Sequence, residues 1–180
     1  MGEAIIIYGK SGTGKSRSLL NFGEDEILYV NTINKRLPFR KRFKYEYQTA
    51  SVEKVKNALS KMPTKTAVID DFGYQQTAKF MAEHNKKQGG SQFDLYNSIA
   101  DDAYGLIMFI KNELPEDAIV YLIMHEESND YGETKLKTIG KLLDQKVWVE
   151  GMVTVCLRAM KDGTSTYYFR TQSDGSDISK

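Results

Sequence analysis

The sequence predicts an α/β fold in three layers around a mainly parallel central sheet. Three observations predict it. Gly9-Lys10-Ser11-Gly12-Thr13-Gly14-Lys15-Ser16 satisfies G-x-x-x-x-G-K-[ST], the phosphate-binding loop called Walker A. The apolar run Ala4 to Tyr8 before it reads as a buried strand, and Ser16 to Phe22 after it as the first turns of a helix. Thr66-Ala67-Val68-Ile69-Asp70-Asp71-Phe72 is a second apolar strand, ending in acidic residues as a Walker B does. At average composition the first pattern arises by chance in roughly one chain in 150 of this length. With its strand and helix in place, it predicts a P-loop NTPase.

Each loop position has a physical task. Gly9, Gly12 and Gly14 permit backbone angles that a Cβ resists, so successive N–H groups point at one anion. A helix N-terminus favours negative charge. Lys15 reaches the β- and γ-phosphates, and the Ser16 hydroxyl ligates Mg²⁺. Lys10, Ser11, Thr13 and Arg17 complete the expected nucleotide-binding set. A carboxylate at a strand's C-terminal end lies beside such a loop in an open α/β sheet. Asp70 is therefore the second expected metal-site residue, and Asp71 a candidate to polarise the attacking water.

The bulk properties agree. A chain of 180 residues suits one domain, with core enough to fold alone. A net charge of +1 demands no polyanionic partner, though local patches still allow one. The single cysteine, Cys156, excludes an internal disulfide framework and suits a reducing compartment. It lies in the apolar run Met152 to Leu157, which favours a buried thiol over a nucleophile. No apolar run approaches the ~20 residues of a membrane span. The first strand begins at once, without a signal peptide, so the expectation is a cytoplasmic protein.

In chain order, Ile27 to Asn31 reads as a strand. From Asn34 to Tyr45, six of twelve residues are Lys or Arg, with Phe39, Phe43 and Tyr45 among them. Pro38 argues against a regular helix there. Lys35, Arg36, Arg40, Lys41 and Arg42 are candidates to grip a nucleic-acid backbone while the aromatics stack on bases. A contact to a neighbouring subunit's nucleotide and a plain solvated loop stay open. Tyr45 to Thr49 reads as a short strand. Ser51 is the expected N-cap of a helix carrying Val52, Val55, Ala58, Leu59 and Met62 on one face, stopped by Pro63. Two helices follow Walker B, Tyr74 to Lys87 and Asp94 to Leu114. Gln88-Gly89-Gly90 between them is either a mobile loop or a plain turn.

Ala118 to Glu127 is another buried strand with a polar end. In a parallel sheet that end shares an edge with Asp70. His125 is a candidate γ-phosphate sensor, or merely a hydrogen-bonded strand end; Glu126 is a candidate to position water. Thr134 to Gln145 reads as a solvated helix or as a phosphate-contacting segment through Lys137 and Lys141. Val153 to Ala159 and Thr166 to Thr171, joined through Asp162-Gly163, read as a C-terminal β-hairpin. Residues 1–172 form the expected domain and residues 173–180 a flexible polar tail.

The Walker A loop, Ile69 to Tyr74, the strand ending in His125-Glu126, Lys137-Thr138-Ile139-Gly140-Lys141-Leu142-Leu143-Asp144, Val149-Glu150-Gly151 and Tyr168-Phe169-Arg170-Thr171-Gln172 together resemble small bacteriophage P-loop ATPases of the AAA-domain type. These are related to the Sak-type single-strand-annealing ATPases. The resemblance implies a RecA-like core and ATP- and Mg²⁺-dependent work on single-stranded DNA in phage recombination or replication. It further implies a single-strand-binding protein as partner and a homo-oligomer, inside an infected bacterial host. RecA carries a catalytic glutamate after its second core strand; here Asn31-Thr32 stand there, so Asp71 or Glu126 must substitute. A small nucleoside or metabolite kinase and a helicase-loader-type module share the loop and the size. A kinase closes an arginine-bearing lid over the phosphates, and the one Arg-rich stretch lies before Walker B. A loader turns over little ATP even with DNA present.

Overall fold

The computed structural model describes residues 1–85, 91–163 and 165–180. The expected break at Gln88-Gly89-Gly90 lies outside the described residues. The strands are β1 (Glu3–Gly9), β2 (Ile27–Asn31), β3 (Tyr45–Gln48), β4 (Thr66–Asp70), β5 (Ile119–Ser128), β6 (Thr134–Leu136), β7 (Val155–Lys161) and β8 (Tyr167–Arg170). The α-helices are α1 (Val52–Ser60), α2 (Gly73–Glu83) and α3 (Ser91–Glu113).

One sheet runs β3-β2-β4-β5-β1-β7-β8, with β6 paired antiparallel to β5. The β3-to-β7 pairings along this path are all parallel, and the β7–β8 hairpin at its end reverses. The central strands are apolar on both faces because both faces are covered. Alternate residues divide the core. Ile6, Tyr8, Val30, Ile69 and Leu122 join the helices α1 and α3, through Val55, Leu59, Ile99 and Leu106 among others. Ile7, Tyr29, Val68 and Ile123 face the other way, onto Leu19 and Phe43.

That second face has a thin cover. The helix expected after the phosphate loop is a six-residue 3₁₀ segment, Ser16–Asn21, and the rest of the layer is the 34–44 stretch. At three residues per turn it makes two turns. Its last carbonyls are satisfied by Lys41, whose Nζ donates to Leu20 O at 2.7 Å and to Phe22 O at 2.6 Å. So short a segment has little helix dipole at its start.

Other elements follow local chemistry. Ser51 caps α1, accepting from the Lys54 N–H. The stretch from Thr134 to Gln145 begins as a strand, and only from residue 141 does it turn helical, in a short segment that continues through Leu143–Val147. Thr134 and Leu136 are buried with Lys135 between them, the period of a strand, and Gly140 then takes a left-handed φ of 93°. Cys156 is buried, which pushes its thiol up to about 11. The tail 173–180 is docked rather than frayed. Cys156 and Lys180 exchange backbone hydrogen bonds at 2.8 and 3.1 Å, continuing the sheet where β8 ends. Asp177 meets Arg158 and Arg170 at 3.0 and 3.1 Å, and Ser179 shares a hydrogen bond with the Tyr8 phenol. Among the described residues no helix is long and apolar enough to cross a membrane.

Candidate nucleotide site

The strand order puts β5 between the two Walker strands. Gly9, the last residue of β1, stands beside His125 of β5, and β4 delivers Asp70 on the far side of β5. All three ends lie on one sheet edge, where an α/β sheet binds ligands.

The loop leaves β1 at Gly9, where a Cβ would lie 2.6 Å from Ala159 O on β7. Gly14 takes φ 91°, and a Cβ there would lie 2.9 Å from the Tyr167 ring. Lys15 is buried, and its Nζ donates to Gly9 O at 2.7 Å and Lys10 O at 2.8 Å. Burial lowers its pKa against the pull of Asp71, Asp70 and Glu126.

Ser16 Oγ donates to Asp70 Oδ1 at 3.1 Å, and the Tyr29 phenol donates to Asp70 Oδ2 at 3.0 Å. Burial, then Asp71, raise the Asp70 pKa; the two hydroxyl donors work against them. Burial and the Asp70 charge push the Tyr29 phenol up, so it stays a donor. Sequence reasoning missed Tyr29, which reads there only as a core residue of β2.

Asp71 has φ 62°, the left-handed region that a β-carbon resists. This turns its carboxylate toward His125 Nε2, 3.3 Å from Oδ1, and Lys35 Nζ, 3.7 Å from Oδ2. Burial raises the Asp71 pKa, but the His125 hydrogen bond and the Lys35 charge outweigh it and the net shift is downward. His125 also stands edge-on to Tyr74, ring centroids 6.0 Å apart.

A cavity of about 360 Å³ brings the loop together with Asp70, Asp71 and His125, and also with Arg17, Lys35, Arg36 and Tyr167. Asn31 anchors the basic stretch there: its amide donates to Lys35 O at 2.9 Å and accepts from Lys35 N at 3.0 Å.

Other expected residues stand elsewhere. Both Glu126 oxygens are held by Arg158, at 2.9 and 3.0 Å, and Glu126 does not line the cavity. It is engaged in joining β5 to β7, whereas Asp71 lines the cavity. The main chain of Lys137 bonds His125 O at 2.9 Å, but neither Lys137 nor Lys141 lines the cavity. Arg40 and Arg42 line a separate cleft of about 1130 Å³ with Glu24 and Glu46; Lys35, Arg36 and Pro38 line both hollows. Phe43 is no base platform: it is buried against Tyr29, rings 5.5 Å apart. Phe39 is half-buried, with the Arg17 guanidinium 6.0 Å above its ring.

No protein-family model matches the chain, and no curated protein matches it in sequence. Among solved structures it is similar to a KaiC-like protein from the hyperthermophilic archaeon Pyrococcus horikoshii OT3. The TM-score is 0.51 at 13% identity, over 96% of this chain and 80% of that one. At that identity the likeness speaks to the fold. The α/β fold with its mainly parallel sheet and RecA-like core is the fold this chain has.

Proposed function

We propose that the chain binds ATP with Mg²⁺ and hydrolyses it to ADP and phosphate, acting on DNA in phage recombination or replication as Sak-type annealing ATPases do. The observation that carries this reading is the Ser16–Asp70 hydrogen bond at the mouth of a glycine loop, with Asp71 and His125 across the same cavity. The residues suit a triphosphate and its metal. Gly9, Gly12 and Gly14 shape the cradle, and one hydroxyl with one carboxylate is the sparse protein ligation that magnesium takes when phosphate and water complete its shell. No cluster of three His, Cys, Asp or Glu stands among the described residues, and such a site needs none.

When bound, the ion would neutralise charge on the β- and γ-oxygens. The loop amides hold the phosphates, and Lys15 exchanges two carbonyl acceptors for phosphate oxygens. Asp71, held ionised by His125 and Lys35, orients the attacking water and accepts its proton. His125 bridges Asp71 to the strand beside the loop, where it senses the γ-phosphate. Lys35 and Arg36 bring further positive charge from the chain's own basic stretch.

Single-stranded DNA is assigned to the cleft flanked by Arg40 and Arg42, with Lys137 and Lys141 as a second patch. A homo-oligomer, a single-strand-binding partner and the cytoplasm of an infected host complete the reading, with residues 1–172 and the tail docked on them as one ATPase domain. One observation favours phosphoryl transfer to a small acceptor instead: the large cleft adjoins the phosphate cavity through Lys35, Arg36 and Pro38.

ATP hydrolysis measured with and without single-stranded DNA, across protein concentrations, decides between these. The ATPase reading expects phosphate release that DNA stimulates and Lys15→Ala abolishes. ADP formation that DNA leaves unchanged, rising instead with a nucleoside acceptor that becomes phosphorylated without matching phosphate release, would support the kinase.

A further inference from the structure

A second hollow, of about 300 Å³, adjoins the phosphate cavity, and the two share Gly14, Arg17 and Tyr167. One wall is the 3₁₀ segment after the loop, with Ser18 and Asn21; the other is β8, with Tyr168 and Phe169. Among the described residues, Arg17 is its only charged lining residue. Tyr167, Tyr168 and Phe169 are 52%, 46% and 38% exposed, three consecutive aromatics on an edge strand facing solvent. Contiguous exposed apolar patches mark ligand-binding grooves and interaction surfaces.

The placement says which of these it is. Strand alternation puts Tyr167 and Phe169 on one face. It is the face toward the loop, because the Tyr167 ring packs against Gly14. Lys161 holds that ring from the neighbouring strand, its Nζ 5.3 Å from the centroid. A nucleotide whose phosphates fill the loop has its nucleoside leave past Gly14 and Arg17, into this hollow. Walled by aromatics, with no carboxylate among its described lining residues and Arg17 at the phosphate end, the hollow suits a flat, uncharged ring.

Resting on the ATP-binding reading, we propose that the hollow between β8 and Thr13–Asn21 is the nucleoside subsite. Phe169 and Tyr167 form a stacking platform for the base. Every base has a π-face, so stacking recognises a nucleobase with little preference among bases.

The test is calorimetric binding, with Mg²⁺, of adenosine imidotriphosphate, guanosine imidotriphosphate and inorganic tripolyphosphate to the full chain. Phe169→Ala should weaken both nucleotides by on the order of tenfold and leave tripolyphosphate unchanged. Phe169→Trp guards against a fold defect. It should keep nucleotide affinity, with indole fluorescence quenched by nucleotide and unmoved by tripolyphosphate. Wild-type nucleotide affinity in Phe169→Ala, or an equal loss for tripolyphosphate, overturns the proposal. So does a loss confined to oligonucleotide binding, which would make the platform a DNA contact. Wild-type protein that binds tripolyphosphate as tightly as the nucleotides refutes the subsite alone. Wild-type protein that binds none of the three refutes the ATP-binding reading with it.

Discussion

Tyr29→Phe removes one atom from the site and leaves its ring. The ring stays in the core between Phe43 and the sheet, so the volume is kept. What goes is the 3.0 Å donation to Asp70 Oδ2. Asp70 is buried and has two side-chain donors, this phenol and the Ser16 hydroxyl, which also has the metal to serve. A hydrogen bond to a charged group contributes about 2 kcal/mol, so its loss corresponds to roughly 30-fold in the affinity it supports. Partners behind a metal-binding side chain show a similar range, about 10–100-fold. The variant should therefore need roughly 30-fold more Mg²⁺ for half-maximal ATP hydrolysis, with nucleotide affinity in the absence of metal unchanged. The pH profile should move as well. Asp70 serves the metal only when ionised, and its pKa already lies above the usual value. Losing a donor to the ionised form raises it further, so the acid limb shifts to higher pH. The assay is a magnesium titration of phosphate release at several pH values, with urea unfolding as the fold control. A magnesium midpoint within twofold of wild type would refute the positioning role of Tyr29.

The remaining outcomes concern the carboxylate pair, the basic stretch and the tail. Asp70→Asn should abolish Mg²⁺-dependent turnover while raising the stability of the ligand-free protein: a carboxyl whose pKa is raised by folding costs stability above that pKa, and thermal melts at pH 7 read the gain. Asp71→Asn should instead lower kcat with little change in the magnesium midpoint. Lys41→Ala should lower stability by about 1–3 kcal/mol, because two carbonyls lose their donor, without moving the salt slope of DNA binding. Arg40→Ala with Arg42→Ala should flatten that slope, by roughly 0.7 for each phosphate left without its cation on single strands, and a fluorescence anisotropy salt series separates the two variants. Asp177 is buried, which opposes ionisation, but the Ser179 N–H and Arg158 hold its pKa down at about 2 from 3.8. Its stabilisation, about 2 kcal/mol, is present above pH 4 and lost as pH falls toward 2. Asp177→Asn should thus be less stable than wild type at pH 7 and approach it at pH 2, by urea unfolding.

The sequence by itself determined the fold class and the strand-to-glycine-loop turn at Gly9, because both rest on local rules. A β-branched apolar strand that runs into Gly9, Gly12 and Gly14 has few other ways to turn. Apolar strands ending in Asp70 and His125 belong to a parallel sheet buried on both faces. The Asp162-Gly163 link signalled the hairpin for the same reason. What tertiary structure decided is which side chains are spent on one another. Glu126 and Asp71 look alike in the sequence, each following a buried strand. Arg158, more than thirty residues further on, engages Glu126, while a left-handed turn aims Asp71 at His125. Lys41 and Arg40 are neighbours in one basic run and line one cleft, yet the Lys41 ammonium is spent on the carbonyls that end the 3₁₀ segment. Phe43 reads as a stacking residue until Tyr29 covers it, and the polar tail reads as loose until Asp177 finds two arginines. Burial and ion pairing are set by contacts between distant segments, and no local pattern carries them.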